Sequence, residues 1–174
     1  MRGLFRTLKL RLEARIGTYV QVSHALVPWL LEHTSTLLNA TSKGPDGQTP
    51  WERTKGRPMR QLLLGFAECI LCKLPAKGLR HNPDGNMGTR WIDGTLLGIS
   101  RSANTYIVAT DGGVFTCRTI YRKLENRWNR DRILRLKATP WAMMSRADAE
   151  AKPREESAAP EQPVERDITV LPKA

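Results

Sequence analysis

The spacing of apolar residues changes character once along the chain. Phe5, Leu8, Leu12 and Ile16 recur at helical intervals, with Arg6, Lys9 and Glu13 elsewhere on the wheel. This predicts an amphipathic helix over residues 3–16, ended by Gly17. Trp29, Leu30, His33 and Leu37 share one face of a second helix running to about Ala40, with Ser23 as its candidate cap. Pro28 requires that this helix either begin near it or bend there. His33, flanked on that face by Trp29 and Leu37, reads as a packed histidine rather than a ligand. The stretch PDGQTPWERTKGRP, residues 45–58, brackets a third element. Pro45 to Gly47 is a turn, and Thr49 and Glu52 form a capping box with Pro50 at the first helical position. Gly56 suits a left-handed stop and Pro58 prevents resumption, which leaves a short helix from Pro50 to Lys55.

After Pro58 the period falls to two and β-formers dominate. Phe66 to Lys73 (FAECILCK) and Trp91 to Ile99 (WIDGTLLGI) read as strands, the second with Gly94 as a bulge. Thr105 to Thr110, then Asp111-Gly112-Gly113, then Val114 to Tyr121 reads as a hairpin. Four or five short strands predict a small, strongly bent antiparallel barrel. The polar stretch from Pro75 to Thr89 reads as an exposed loop between the first two strands. Leu124 to Lys137 holds a short helix, and from Ser145 onward the chain is Ala/Glu/Pro-rich, acidic and without period, which predicts disorder.

The two longer helices pose a packing problem. A fully buried Leu or Trp is worth roughly 1.5–3 kcal/mol only if something covers it. Residues 1–60 contain no convincing strand to do so, and two short helices cover each other on one side at most. They read as the end of a larger domain.

Charge sharpens this picture. The 174 residues carry a net charge of +11, with a pI near 10.1. Residues 1–60 carry +6 and residues 61–140 carry +7, whereas residues 141–174 carry −2. Two basic regions and an acidic tail point to a polyanionic partner, most simply nucleic acid. Three cysteines are too few for a disulfide framework and fit a reducing compartment, nucleus or cytoplasm. No apolar run approaches the roughly 18 residues of a membrane span. The Arg-rich start, MRGLFRTLKLRLEARIG, also has the amphipathic character of a transit peptide, but it contains no Ser.

Candidate chemistry is sparse. Cys69 and Cys72 have C-x-x-C spacing, but on a strand residues three apart face opposite sides, and only Cys117 and His81 could complete a zinc set. Asp84, Asp93 and Asp111 each adjoin glycine, where Asp serves turns. No catalytic residue is assigned. The positive signal is a basic set on and after the last strand: Arg118, Arg122, Lys123, Arg127, Arg130, Arg132, Arg135 and Lys137, around Trp128. These are the candidate nucleic-acid-binding residues, with Trp128 placed either to stack on a base or to pack onto its own domain. Nothing predicts a helix presented to a groove, so sequence-specific reading is not indicated.

The order of WLLEHTSTLLNATSKGPDGQTPWERTKGRP, GFAECILCK, RWIDGTLLGISRSANTYIVAT and VFTCRTIYR resembles copia-type LTR-retrotransposon polyproteins over about residues 4–141. It is similar to the end of the integrase catalytic core and the SH3-like domain that follows. The resemblance implies an α+β chain in four parts. Residues 1–58 would be the C-terminal helices of a ribonuclease-H-like core and residues 59–123 an SH3-like β-barrel. Residues 124–144 would be a basic extension and residues 145–174 a disordered acidic tail. In that family three carboxylates hold two Mg2+ or Mn2+ ions for attack on a DNA phosphodiester. By the alignment these carboxylates would precede Met1, and Glu13 and Glu32 occupy non-catalytic positions. No cofactor is therefore expected here, nor an enzyme on its own. The expected partners are DNA or another nucleic acid, the upstream integrase core and other integrase chains. Two alternatives stand beside this: a protein- or chromatin-interaction module, and a decayed reading frame.

Overall fold

A computed structural model describes residues 1–74 and 88–143. Most of the loop expected from Pro75 to Thr89, and the tail expected from Ser145, fall outside the described residues. The remainder is α+β, in the order α1 (Arg2–Ile16), α2 (Leu26–Thr41), α3 (Pro50–Lys55), β1 (Cys69–Lys73), β2 (Trp91–Ile99), β3 (Tyr106–Thr110), β4 (Gly113–Cys117), β5 (Ile120–Arg122) and α4 (Arg130–Leu134).

The helix ends follow from local chemistry. Gly17 closes α1 in the left-handed region at φ 65°, where a side chain would be strained. The Thr49–Glu52 capping box is complete: Glu52 N–H donates to Thr49 Oγ1 at 3.2 Å, and Thr49 N–H donates to Glu52 Oε2 at 2.7 Å. α2 starts differently from the expectation. Ser23 does not cap it; His24 Nδ1 accepts from Leu26 N–H at 3.1 Å, at the helix start. Pro28 then falls in the first turn, where a helical N–H has no partner inside the helix, so it costs the helix no hydrogen bond.

The five strands form one antiparallel sheet in the order β4-β3-β2-β1-β5. It is not closed into a barrel. β5 is only three residues long and pairs with β1 alone, and beyond it the chain turns alongside β1, where Cys69 N–H donates to Arg127 O at 2.7 Å. The sheet is nonetheless curled: Cys72 on β1 and Cys117 on β4 pack into one buried cluster although β2 and β3 lie between those strands in sheet order.

Three strand expectations are corrected. Val114 to Tyr121 is not one strand: β4 ends at Cys117, and Ile120–Arg122 leaves the hairpin to pair with β1 as β5. β1 begins at Cys69 rather than Phe66, because Gly65 to Glu68 forms a turn in which Ala67 adopts φ 57° and Glu68 N–H donates to Gly65 O at 3.2 Å. The irregularity in β2 lies between Leu96 and Gly98, not at Gly94, which pairs in register with Ile70. The extra residue puts Leu96 and Ile99, three apart, in the same cluster while Leu97 points to the other.

Both sheet faces are covered. On the inner, curled face Ile70, Cys72, Leu96, Ile99, Val108 and Cys117 pack together. On the outer face Leu97, Ile107, Ala109 and Val114 meet Leu12, Ile16, Leu26, Trp29 and Leu30 of α1 and α2. Ile133 and Ala138 from the segment around α4 complete this cluster. Trp29 Nε1 donates to Ala138 O at 2.8 Å, tying α2 to that segment. The cover that the helices lack within residues 1–60 is thus supplied by the strands of the same chain.

Candidate nucleic-acid interface

The eight basic candidates separate into two groups. Arg122, Lys123, Arg127 and Arg132 are engaged within the chain. Arg122 and Arg127 converge on the fully buried carboxylate of Glu68, Arg127 Nε at 3.0 Å from Oε1 and Arg122 Nη2 at 3.2 Å from Oε2. Gly65 N–H donates to the same carboxylate at 3.1 Å. Lys123 pairs with Asp93, and Arg132 Nη2 lies 3.3 Å from Asp111 Oδ2 across the hairpin turn. Arg118, Arg130, Arg135 and Lys137 are exposed and make no ion pair among the described residues.

α4 explains the division. Asn129 caps it by accepting from Arg132 N–H at 3.0 Å. Ile133 enters the core, with Leu136 and Ala138 just beyond the helix packed on the same side, while Arg130, Arg135 and Lys137 remain in solvent. The short amphipathic segment therefore uses its apolar side to hold the fold and presents cations outward.

Trp128 packs onto its own domain. Its Nε1 donates to Phe66 O at 3.4 Å, and the Arg15 and Arg127 guanidiniums lie 3.9 and 4.8 Å from its ring centroid. The ring is half-buried. Its polar edge and its π-face are both in use, so stacking on a base would first require displacement of an arginine.

Arg15 belongs to a feature that the basic set omitted. A cleft of about 280 Å³ lies between α1, α2, the Gly65–Glu68 turn and the segment after β5. Its polar lining includes Arg11, Arg15, His33, Glu68, Arg122 and Arg127. Arg11 and Arg15 are one turn apart on α1, and this i,i+4 spacing of like charges was the legible signal. His33 is 3 % exposed and packs its ring 5.3 Å from that of Phe66, and neither ring nitrogen has a hydrogen-bond partner. Burial pushes its pKa down to about 4, so the ring is neutral at neutral pH.

The cysteines divide by face. Cys69 is buried outside the curled-face cluster, whereas Cys72 and Cys117 both pack within it. His81 is outside the described residues. Among the described residues no three His, Cys, Asp or Glu side chains gather as a metal group. Glu13 is engaged by Lys9 and by Val20 N–H, the latter at 2.8 Å, and the Glu32 side chain is exposed on α2. These carboxylates do not fit a two-metal centre.

Among the described residues no helix is long and apolar enough to cross a membrane. Comparison with protein-family profiles, with curated proteins and with solved structures finds no match to this chain.

Proposed function

We propose that the chain is a nonspecific nucleic-acid-binding unit corresponding to the end of a retrotransposon integrase core and the SH3-like domain after it, without strand-transfer chemistry of its own. The observation that carries this reading is the set of exposed cations on the α4 segment, Arg130, Arg135 and Lys137, which make no ion pair among the described residues and flank the buried Ile133 and Ala138. Cations fixed on a packed element suit phosphate contact, which positions a protein on a backbone without reading bases. The motif order along residues 4–141, a curled five-strand sheet and a net charge of +11 support the same reading. Engagement of Glu13 and Glu68 by cations within the chain supports a non-catalytic role.

Titration with duplex DNA at rising salt tests the proposal. Affinity should fall steeply as counterions compete, and a Mg2+-dependent cleavage assay on the same chain should stay blank. Robust cleavage would overturn the non-catalytic assignment.

A protein-interaction module is the second reading. It is favoured by Tyr121 and Leu124, large apolar side chains that the fold leaves in solvent at and just after β5. Absent or salt-insensitive DNA binding would select it.

A further inference from the structure

The Arg11–Arg15 cleft has three properties that internal packing does not account for. First, its charge is unbalanced: four guanidiniums face one carboxylate, and Glu68 is already spent on Arg122 and Arg127. Arg11 and Arg15 form no ion pair among the described residues. Secondly, placing these two like charges one helical turn apart is unfavourable in a bare helix. Thirdly, the buried His33 ring lines the same cleft with both nitrogens unsatisfied, and such orphaned buried polar groups are uncommon in folded proteins.

We infer that this cleft is an oxyanion site for a phosphate monoester, with Arg11 and Arg15 as its charge partners and His33 as a neutral hydrogen-bonding group at its floor. Guanidinium forks match the oxygens of a phosphate bidentately. A neutral imidazole donates one N–H to a phosphate oxygen, so it serves the anion without itself carrying charge. The local surplus of positive charge favours a dianion over a monoanionic carboxylate. The apolar walls, Leu8, Leu12 and Phe66, lower the surrounding dielectric and strengthen each contact. Like-charge crowding is already visible at Arg15: burial first, and then the Arg11 cation, hold its pKa below the usual guanidinium range against the opposing pull of Glu68. A bound phosphate would relieve that crowding. The inference stands on the cleft alone and does not need the nucleic-acid reading. The phosphate could be a small free one or the 5′ end of a polynucleotide.

Calorimetric titration of the full chain with inorganic phosphate, at fixed ionic strength with chloride as the reference, tests the site. Saturable binding is expected, with imidazole NMR signals of His33 shifting along the same isotherm. R11Q/R15Q, which changes two exposed side chains, should weaken binding by about tenfold or more, the equivalent of roughly one lost charge-assisted hydrogen bond. H33Q, which keeps a donor and an acceptor, should bind better than H33L. No saturable phosphate binding to a chain with native circular dichroism, or binding unchanged in R11Q/R15Q, would overturn the site. A second arm compares 5′-phosphorylated and 5′-hydroxyl oligonucleotides of one sequence. Preference for the phosphorylated strand supports the site with a polynucleotide end as source. Equal binding of the two strands alongside saturable inorganic phosphate supports it with a small phosphate as source. Phosphate binding without any oligonucleotide binding would defeat the nucleic-acid proposal and leave this site standing.

Discussion

Arg127 Nε lies 3.0 Å from Glu68 Oε1 across 59 positions of sequence, and the carboxylate it meets is entirely buried. The arginine side of the cluster is not: the Arg122 and Arg127 side chains are 47 % and 31 % exposed. This asymmetry makes the two halves of the ion pair unequal. Removing both arginines, as in R122Q/R127Q, strands a buried charge, and a loss of about 3–5 kcal/mol is expected. E68Q leaves two arginines that can turn to water, and about 1–2 kcal/mol is expected. Urea unfolding with an unchanged slope measures both. Equal losses would mean that the carboxylate is hydrated in solution.

Gly94 sits where the sheet leaves no room for a side chain. A Cβ there would lie 2.2 Å from Val108 Cγ1 and 3.4 Å from Cys72 Sγ, inside the curled face. Further along β2, a Cβ at Gly98 would have nothing within 4 Å. Glycine at 94 thus permits strand–side-chain approach, and glycine at 98 does not depend on it. G94A should destabilise the fold by about 1–3 kcal/mol through overpacking. G98A should stay within about 0.5 kcal/mol. Thermal unfolding of the two variants in one buffer checks the contrast, and a benign G94A would mean that the sheet curls less tightly.

The same positions show what the sequence could and could not reveal. The Thr49–Glu52 box, the bounds of β2 and a turn at Asp111-Gly112 were legible because each rests on local chemistry, although the turn was expected to include Gly113, which instead opens β4 opposite Thr110. Gly94 was legible as special but not in its role. A bulge and a close approach both select glycine, and only the position of Val108 separates them. The start of β1 was misread because Phe66 and Ala67 are apolar like a strand but lie in a turn with Ala67 left-handed. The cover over α1 and α2 was invisible, since Leu97, Ile107 and Ile133 are remote in sequence from the helices they bury. Within the basic set, nothing in the spacing indicated that Arg122, Lys123, Arg127 and Arg132 would find carboxylates while Arg130, Arg135 and Lys137 would not. Pairing is a property of the fold, and charge count alone cannot assign it.

His33 sets a pH dependence of defined sign. Its pKa is about 4 in the fold, lowered by burial from 6.5. Between these values the unfolded chain binds more protons, so stability rises with pH there. The contribution is complete above pH 6.5 and is lost as pH falls toward 4, a change of about 3 kcal/mol. Hydrogen bonds from Thr49 hold Glu52 below its ordinary 4.5, and the Arg53 guanidinium holds Asp46 below 3.8, so their losses lie lower on the scale. H33L should flatten the stability profile between pH 5 and 6.5 by removing the titrating group. A wild-type profile already flat in that window would mean that the ring is solvated or paired.

The division of the basic residues predicts two kinds of DNA-binding variant. Charge removal at an unpaired position takes away a cation that faces phosphate and leaves the fold untouched. For R130Q, R135Q and K137Q the salt slope on duplex DNA should therefore fall by about 0.9 for each phosphate no longer neutralised, with thermal stability unchanged. At Arg132, which reaches Asp111 across the hairpin turn at 3.3 Å, the substitution frees an exposed carboxylate beside the binding face. R132Q should consequently weaken binding through added repulsion, and adding D111N should recover part of the loss. At Arg122 and Arg127 the fold itself is at stake, and binding losses should track the loss of native circular dichroism. Fluorescence anisotropy at several salt concentrations, run beside thermal melts, separates these behaviours. Identical slopes for wild type and the triple R130Q/R135Q/K137Q variant would remove the α4 face from the interface.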